Sequence, residues 1–474
     1  MTGHRIVVIG GGISGLAAAY ALQEGAAGKG IPIELTILEQ EERPGGKIRS
    51  VRDQGFLCEY GPNGFLDNKP ATLEFCRRLG VDGRLLRSRD EARRRFIYSG
   101  GKLHRLPESP PAFFLSRLLS MRGRLRMIGE LFAKKAPEGV DETLADFARR
   151  RLGQEALDKL IAPMVSGIFA GDPETMSLKS CFPRIAELEA QYGSLIRAMI
   201  HLQRAKKRQG NGDRSGAGPA GPGGVLTSFE GGLEDLVHSL QAALAGGVRT
   251  SSGVTALEKG QGDSPYRIHL SGQGGTIETD VVILAVPAYV ASGILGGIDP
   301  DCRPILDRIP YAPLSVICMG YPKKAIPMPV DGFGFLIPDR EGIRILGTLW
   351  DSSIFPGRAP EGYVSLRSMA GGARHPEYGL FSEEKVLANT RKELKKIMGI
   401  SSPPDFVRIF RHEKAIPQYV VGHAEAVRKL ERIVSERHAG LFLTGNAFHG
   451  IGINDCVASA ECVAERVLEF LTRE

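Results

Sequence analysis

The chain has 474 residues, 42% hydrophobic and 24% charged, which is close to the globular average. That excludes wholesale disorder and a coiled coil, and at roughly 100 to 200 residues per domain it allows two to four domains. Lys and Arg outnumber Asp and Glu by 61 to 54, and residues 89–151 alone hold fifteen basic against eight acidic side chains, so the excess of +7 belongs to one region.

The start, MTGHRIVVIGGG, runs directly into an apolar strand, Arg5 to Ile9, followed by a glycine loop, so no cleavable leader is expected and secretion is not. In GGGISG the spacing GxGxxG is met by Gly10, Gly12 and Gly15, with Gly11, Ile13 and Ser14 between them. Gly10 would allow a tight turn, Gly12 would let a pyrophosphate approach the backbone, and Gly15 would permit close helix packing. The helix-forming run LAAAYALQE and the strand IELTILE complete a βαβ unit. Glu39 ends that second strand, where a carboxylate can accept hydrogen bonds from ribose hydroxyls and repels a 2′-phosphate; an ordinary solvated strand-end Glu is the alternative. Arg43, Gly45, Gly46 and Lys47 follow at once, a second glycine doublet flanked by cations, which simple NAD dehydrogenases lack and many flavoenzymes use.

From about 70 to 205 the pattern turns helical, and within it FFLSRLLSMRGRLRMIGELFAKK, residues 113–135, interleaves large apolar residues with Arg and a closing Lys pair. This stretch fits either an amphipathic helix pair packed on its own domain or a surface that dips into an anionic membrane. Residues 206–228, rich in Gly and polar residues, read as a surface loop or linker. Strands return in VRTSSGVTALEKG, YRIHL, TIETDVVILAV, LSVICMGYP, GFGFLIP, IRILGTLW and GYVSLRSMAGG, with a helix near Glu383 to Met398. The uncharged stretch 281–298 is broken by Pro287 and glycines and reads as a buried strand rather than a membrane span. The tail pairs a strand at 440–445 with an amphipathic helix from Asp455 to Leu471. Seven scattered cysteines, never in a CxxC pair, argue against a disulfide framework or a metal site and for a reducing compartment.

GGGISG, Glu39, RPGGK and the closing GNAFHGIGIND resemble the flavin amine oxidase superfamily. EYGPNGF, RRRFIYSGGKLHRLP, SGIFAGDPETMSLKSCFP, TSFEGGL, YAPLSVICMGY, DGFGFLIP, IPQYVVGH and GIGINDC, spread over nearly the whole chain, narrow the resemblance to its oxygen-dependent protoporphyrinogen oxidase family. The resemblance implies an α/β plus α+β fold with a discontinuous Rossmann-like FAD-binding domain (1–88, 225–303 and 412–474). It adds a helical, membrane-associated insert (89–205), a flexible Gly-rich loop (206–224) and a mixed-sheet substrate domain (304–411).

It also implies non-covalent FAD, with the pyrophosphate on Gly10 to Gly15, the adenosine ribose on Glu39, and Arg43, Gly46 and Lys47 alongside the cofactor. Gly61, Pro62, Asn63 and Gly64 would pass beside the isoalloxazine ring, Val254 would meet adenine through its backbone, and His412 stands where some relatives carry an aromatic residue near the flavin. Gly445 belongs to the same closing motif, in which Ile451, Gly452 and Ile453 would bring a helix N-terminus to the flavin N1 and C2 carbonyl, where a reduced flavin gains negative charge. On the substrate side Arg95 would face a propionate, Phe333, Leu336 and Met369 would wall the tetrapyrrole, and Gly171 would allow backbone approach to it. Without the resemblance these read as a surface Arg, core side chains and a turn glycine.

No sequence motif supplies a nucleophile, acid or base, which fits a reaction in which the cofactor takes the hydride at N5 and the protein positions the substrate. The implied activity is oxidation of protoporphyrinogen IX to protoporphyrin IX, with six electrons passed to dioxygen. Coproporphyrinogen III, with four carboxylates rather than two, is the nearest rival substrate. An amine oxidase or carotene desaturase of the same superfamily, and a flavin-binding protein without turnover, are the others. The chain is expected in the cytoplasm, peripheral on the inner face of the cell membrane, with a homodimer as a further expectation and no nucleic-acid partner.

Overall fold

The computed structural model describes residues 3–107, 116, 118–137, 139–208, 224–260, 264–272 and 274–473. The expected Gly-rich loop 206–224 lies outside the described residues except at its ends, as do residues 113–115 and 117 of the interleaved apolar and basic stretch.

A five-stranded parallel sheet runs in the order Val248–Arg249, Ile33–Leu38, His4–Ile9, Val281–Leu284, Leu441–Leu443. The first strand is central, and its continuous apolar run has a cause: Ile6 and Val8 face one core and Val7 and Ile9 the other, so both faces are buried. Helices Ile13–Lys29 and Ile453–Leu471 cover the first face, and they lie so close that a Cβ on Gly25 would overlap Leu468. Helices Ala288–Ile298 and His423–Arg437 cover the second. Three widely separated stretches of sequence therefore build one sheet.

A seven-stranded mixed sheet has the order Phe406–Pro417, Tyr311–Pro322, Tyr363–Gly371, Gly347–Leu349, Gly334–Leu336, Arg95–Ser99, Lys102–Arg105. On one face Tyr98, Ile317, Met319, Phe335 and Leu366 pack with Leu394 of helix Glu383–Met398. Two of its strands depart from the pattern read in the sequence. Arg95–Ser99 and Lys102–Arg105 fall inside the stretch assigned to a helical insert, yet they form a hairpin on the edge of this sheet. The Gly100-Gly101 turn decides it: both residues have positive φ (59° and 79°), the geometry of a tight two-residue hairpin turn. Phe406–Pro417 crosses the boundary drawn at 412, because the charges in FVRIFRHEKAIP mask its alternation along an edge strand.

A group of helices includes Met121–Ile128, Leu144–Arg151, Ala162–Phe169, Pro183–Tyr192 and Leu195–Arg208. Arg151 is fully buried there; it bonds Glu130, also fully buried, at 3.2 Å, along with Glu189 and the Ala133 carbonyl. Glu130 in turn accepts from Ser194 and from the Leu195 and Ile196 amides, and so caps the helix that begins at Leu195. Among the described residues no helix is long and apolar enough to cross a membrane.

Candidate active site

One cavity of about 3110 Å³ runs from the glycine loop to the helical group. The register of the seven-stranded sheet explains its floor. Ile97 pairs with Leu336, Leu336 with Gly347, Gly347 with Met369 and Met369 with Val316, while Arg95 pairs with Gly334, Gly334 with Leu349 and Leu349 with Arg367. These two rows are two residues apart, so they point to the same side of the sheet, and except for Gly347 every member lines the cavity. The guanidinium of Arg95 lies over the Phe333 ring, 5.2 Å from its centroid.

At the other end the glycine loop has the form its spacing requires. A Cβ on Gly15 would overlap the Gly10 carbonyl oxygen, so only glycine lets the helix start so close to the strand. Nothing lies within 4 Å of a Cβ built on Gly12, which opens onto the cavity. Gly11 and Gly15 do not line it: the Gly11 amide donates to Glu39 Oε2 at 2.8 Å, and the Glu41 amide to Glu39 Oε1 at 2.9 Å. Glu39 is thus buried and held by backbone donors, with one edge on the cavity. Gly12 also forms a parallel bridge with Gly45, which ties the second glycine doublet to the first. Arg43 faces the cavity but spends its donors on Glu234 and on the carbonyls of Pro44, Gly46 and Ile48.

Lys47 lines the cavity and donates to the Lys414 carbonyl at 2.9 Å and to that of Ala415. Among the described residues no carboxylate pairs with it, and burial pulls its ammonium down to about 8. A Cβ on Gly61 would overlap the Lys47 carbonyl and one on Gly64 that of Thr227, so the loop Gly61-Pro62-Asn63-Gly64 is pressed onto its supports as only glycine allows. Arg367 supports this loop from the sheet, donating to the Gly61 carbonyl at 3.0 Å and lying 3.1 Å from Asp351, which accepts from Asn63 Nδ2 at 3.3 Å. Burial pushes the Asp351 carboxyl above its usual range against the pull of Arg367. Asn63 Oδ1 is buried beside the cavity and takes no hydrogen bond from the described residues. His412 Nε2 donates to the Tyr60 carbonyl at 2.9 Å, and burial lowers the imidazole, which favours its neutral form.

Pro62, Ile13, Ser14, Val254, Gly445, Ile451, Gly452 and Ile453 all line the same cavity, although they come from four distant stretches of sequence. Gly171 does not. It is buried against Met176 and Gln418, where a Cβ would overlap the Met176 sulfur, so its role is in packing. The sequence reading missed Arg367, Asp351 and Tyr419. An arginine inside the apolar strand YVSLRSMAG was a readable signal, since a cation there needs a buried partner; nothing local marks the other two.

The cradle fits a dinucleotide. Open space over Gly12, a helix N-terminus at Ile13, the carboxylate of Glu39 at a strand end and an unpartnered Asn63 oxygen supply the surfaces that a pyrophosphate, a ribose and a ring edge would use. The comparisons with known proteins agree with that geometry. Residues 13–468 match the family model described as flavin containing amine oxidoreductase. The chain is 29% identical to coproporphyrinogen III oxidase of Bacillus subtilis, with 98% of each chain covered, and 32% identical to the chloroplastic protoporphyrinogen oxidase 1 of Arabidopsis thaliana, over 98% of this chain and 88% of that one. A crystal structure of an Exiguobacterium sp. 255-15 protein superposes with a TM-score of 0.83 at 27% identity, covering 99% of this chain and 100% of that one. These matches imply FAD as the cofactor, and the chain belongs to the flavin containing amine oxidoreductase family.

Proposed function

We propose that the chain oxidises a porphyrinogen, protoporphyrinogen IX, to the porphyrin, with three two-electron steps each passed to dioxygen. Bound FAD supplies the two-electron oxidation; the protein supplies position and a dry wall. Gly10 to Gly15, Glu39 and Val254 would hold the adenine dinucleotide portion. Gly61 to Gly64 and the helix start at Gly452-Ile453 would border the ring system. Ile97, Leu336, Met369 and Val316 make an apolar floor on which a tetrapyrrole can lie, and Met164, Ile168 and Phe169 of helix Ala162–Phe169 line the same cavity.

The observation that carries the substrate reading is the apolar floor with Arg95 at its edge. Among the described lining residues from the helical group and the seven-stranded sheet the Lys and Arg side chains are Arg95, Arg184, Arg367, Arg411 and Lys414; Arg367 is committed to Asp351 and the Gly61 carbonyl, Arg411 donates to the Phe381 carbonyl at 3.1 Å, and Lys414 lies over the Tyr289 ring. Arg184 forms an exposed pair with Glu187 at 3.1 Å. Arg95 and Arg184 are the candidate partners for the two carboxylates of protoporphyrinogen. The Bacillus subtilis relative, matched along its whole length, favours coproporphyrinogen III as the second reading. Porphyrin fluorescence followed under air with both substrates side by side tests the choice: faster protoporphyrin formation is expected, and faster coproporphyrin formation transfers the assignment. Three hydrogen peroxide molecules per porphyrin would support dioxygen as acceptor.

The reading extends to a membrane surface. Met121, Leu125, Ile128 and Phe132 recur along one side of a helix and its continuation and are exposed, Phe132 to 85%, next to exposed Arg122, Lys134 and Lys135. Ile128, Ile168, Met199 and Ile200 are both exposed and cavity-lining, so the cavity opens beside this patch. Sedimentation with anionic liposomes should carry the protein down at low salt. A protein that stays in the supernatant would remove the membrane reading.

A further inference from the structure

We propose that Tyr419, backed by His423, is a positioning residue for FAD: it braces the loop between the last strand and the last helix, fixing the amino end of that helix at the cavity. The inference rests on the assignment of FAD to this cavity.

The loop Gly445–Gly452 leaves the strand Leu441–Leu443 and enters the helix Ile453–Leu471, and Gly445, Asn446, Gly450, Ile451 and Gly452 line the cavity. Gly445 and Gly450 have positive φ (131° and 137°), and a loop so hinged needs an outside tie to keep one shape. Tyr419 provides it. The buried phenol hydroxyl accepts from the Gly450 amide at 2.8 Å and donates to the Asn446 carbonyl at 2.7 Å, so one oxygen closes the loop across four residues. The Tyr419 ring stacks on His423, with centroids 4.0 Å apart and planes 12° from parallel, and His423 Nε2 donates to the Phe448 carbonyl at 3.2 Å, a third tie inside the same loop. The brace is itself anchored. The Tyr419 carbonyl accepts from the Ser177 amide at 2.8 Å, Met176 bridges Val420, and Asp141 accepts from the Gly422 amide at 2.8 Å.

Tyr419 lines the cavity together with the loop that it ties. If the loop relaxes, the helix amides lose their fixed direction, and a preorganised positive end becomes a mobile one. A reduced flavin, which gains negative charge, should then be held less well than the oxidised form.

Tyr419→Phe keeps the ring, the stack and the burial and deletes only the hydroxyl. Apoprotein of wild type and variant would be titrated with FAD by quenching of flavin fluorescence, and the reduction potential of the bound flavin measured by dye equilibration. The expected result is an FAD dissociation constant raised roughly tenfold, as loss of about one net hydrogen bond implies, with a more negative potential and an unchanged far-UV circular dichroism spectrum. His423→Phe, which keeps a stacking ring but loses the Phe448 tie, should shift both quantities in the same direction and less far. A Tyr419→Phe protein with wild-type FAD affinity and potential, even at a lower melting temperature, would assign the tyrosine to packing alone and overturn the proposal. A wild-type protein that takes up no FAD would overturn the cofactor assignment together with it.

Discussion

The five-stranded sheet and the helical group border the same cavity but are held by different forces. The sheet is sandwiched between two apolar cores, and its precision comes from backbone packed too closely for any side chain, at Gly15 against Gly10 and at Gly25 against Leu468. The helical group has smaller apolar clusters and is tied by a buried charge network in which Arg150 and Arg151 meet Glu130, Glu142 and Glu189. Apolar burial is tolerant of direction, whereas a buried ion pair has one good geometry and is strongly destabilising when one partner is lost. The half that would hold a fixed cofactor is built from steric exclusion, and the half that would receive a bulky substrate is built from directional bonds around a largely apolar wall.

The comparison can be broken most severely at Gly15. Gly15→Ala places a methyl on the Gly10 carbonyl oxygen and forces the first helix off its strand, so FAD content on purification should fall at least about a hundredfold while far-UV circular dichroism of the helices largely persists. Arg151→Ala attacks the other half. It leaves Glu130 buried without its cation and Glu189 with Arg150 alone, and should cost about 3–5 kcal/mol in urea unfolding, with FAD content retained in the folded fraction. Equal loss of cofactor in both variants would show that the halves do not fold as separately supported units. Arg95→Leu should raise KM for a carboxylate-bearing porphyrinogen roughly tenfold, with little change in kcat if the arginine binds ground and transition states alike.

The smallest effect is a pH dependence at Lys47. Burial lowers its ammonium to about 8, below the ordinary lysine value, so the unfolded chain binds the extra proton between about pH 8 and 10.5. The stability of the apoprotein should accordingly rise with pH through that window, and the penalty of the buried charge is fully present below pH 8. An anionic ligand prefers the protonated lysine, so FAD affinity should weaken severalfold above about pH 8, a slope that Lys47→Met should abolish. A wild-type affinity flat from pH 7 to 10 would place Lys47 away from the bound cofactor.

Much of this site was legible in the chain. GxGxxG, Glu39, the doublet after Arg43 and the closing GIGIND were readable because each works through local backbone geometry, a turn or a helix start that follows from a few adjacent residues. The hairpin at Arg95–Arg105 was missed although Gly100-Gly101 marks it, since it falls within the stretch from about 70 to 205 whose pattern is otherwise helical. Gly171 resembled a residue of a substrate wall and proved to be packed against Met176 and Gln418. Tyr419 and Asp351 had no local signal, because each acts on residues 27 and 288 positions away, at Asn446 and Asn63.

The sequence by itself determined the dinucleotide cradle and the family, because short-range sterics and the hydrophobic period of a buried strand are written in consecutive residues. Tertiary structure alone decided the floor of the cavity, through a strand register that brings Ile97, Leu336, Met369 and Val316 into one row, and decided which buried groups brace the loops that border it. Register and long-range hydrogen bonds depend on where distant segments meet, and that is settled only when the whole core closes.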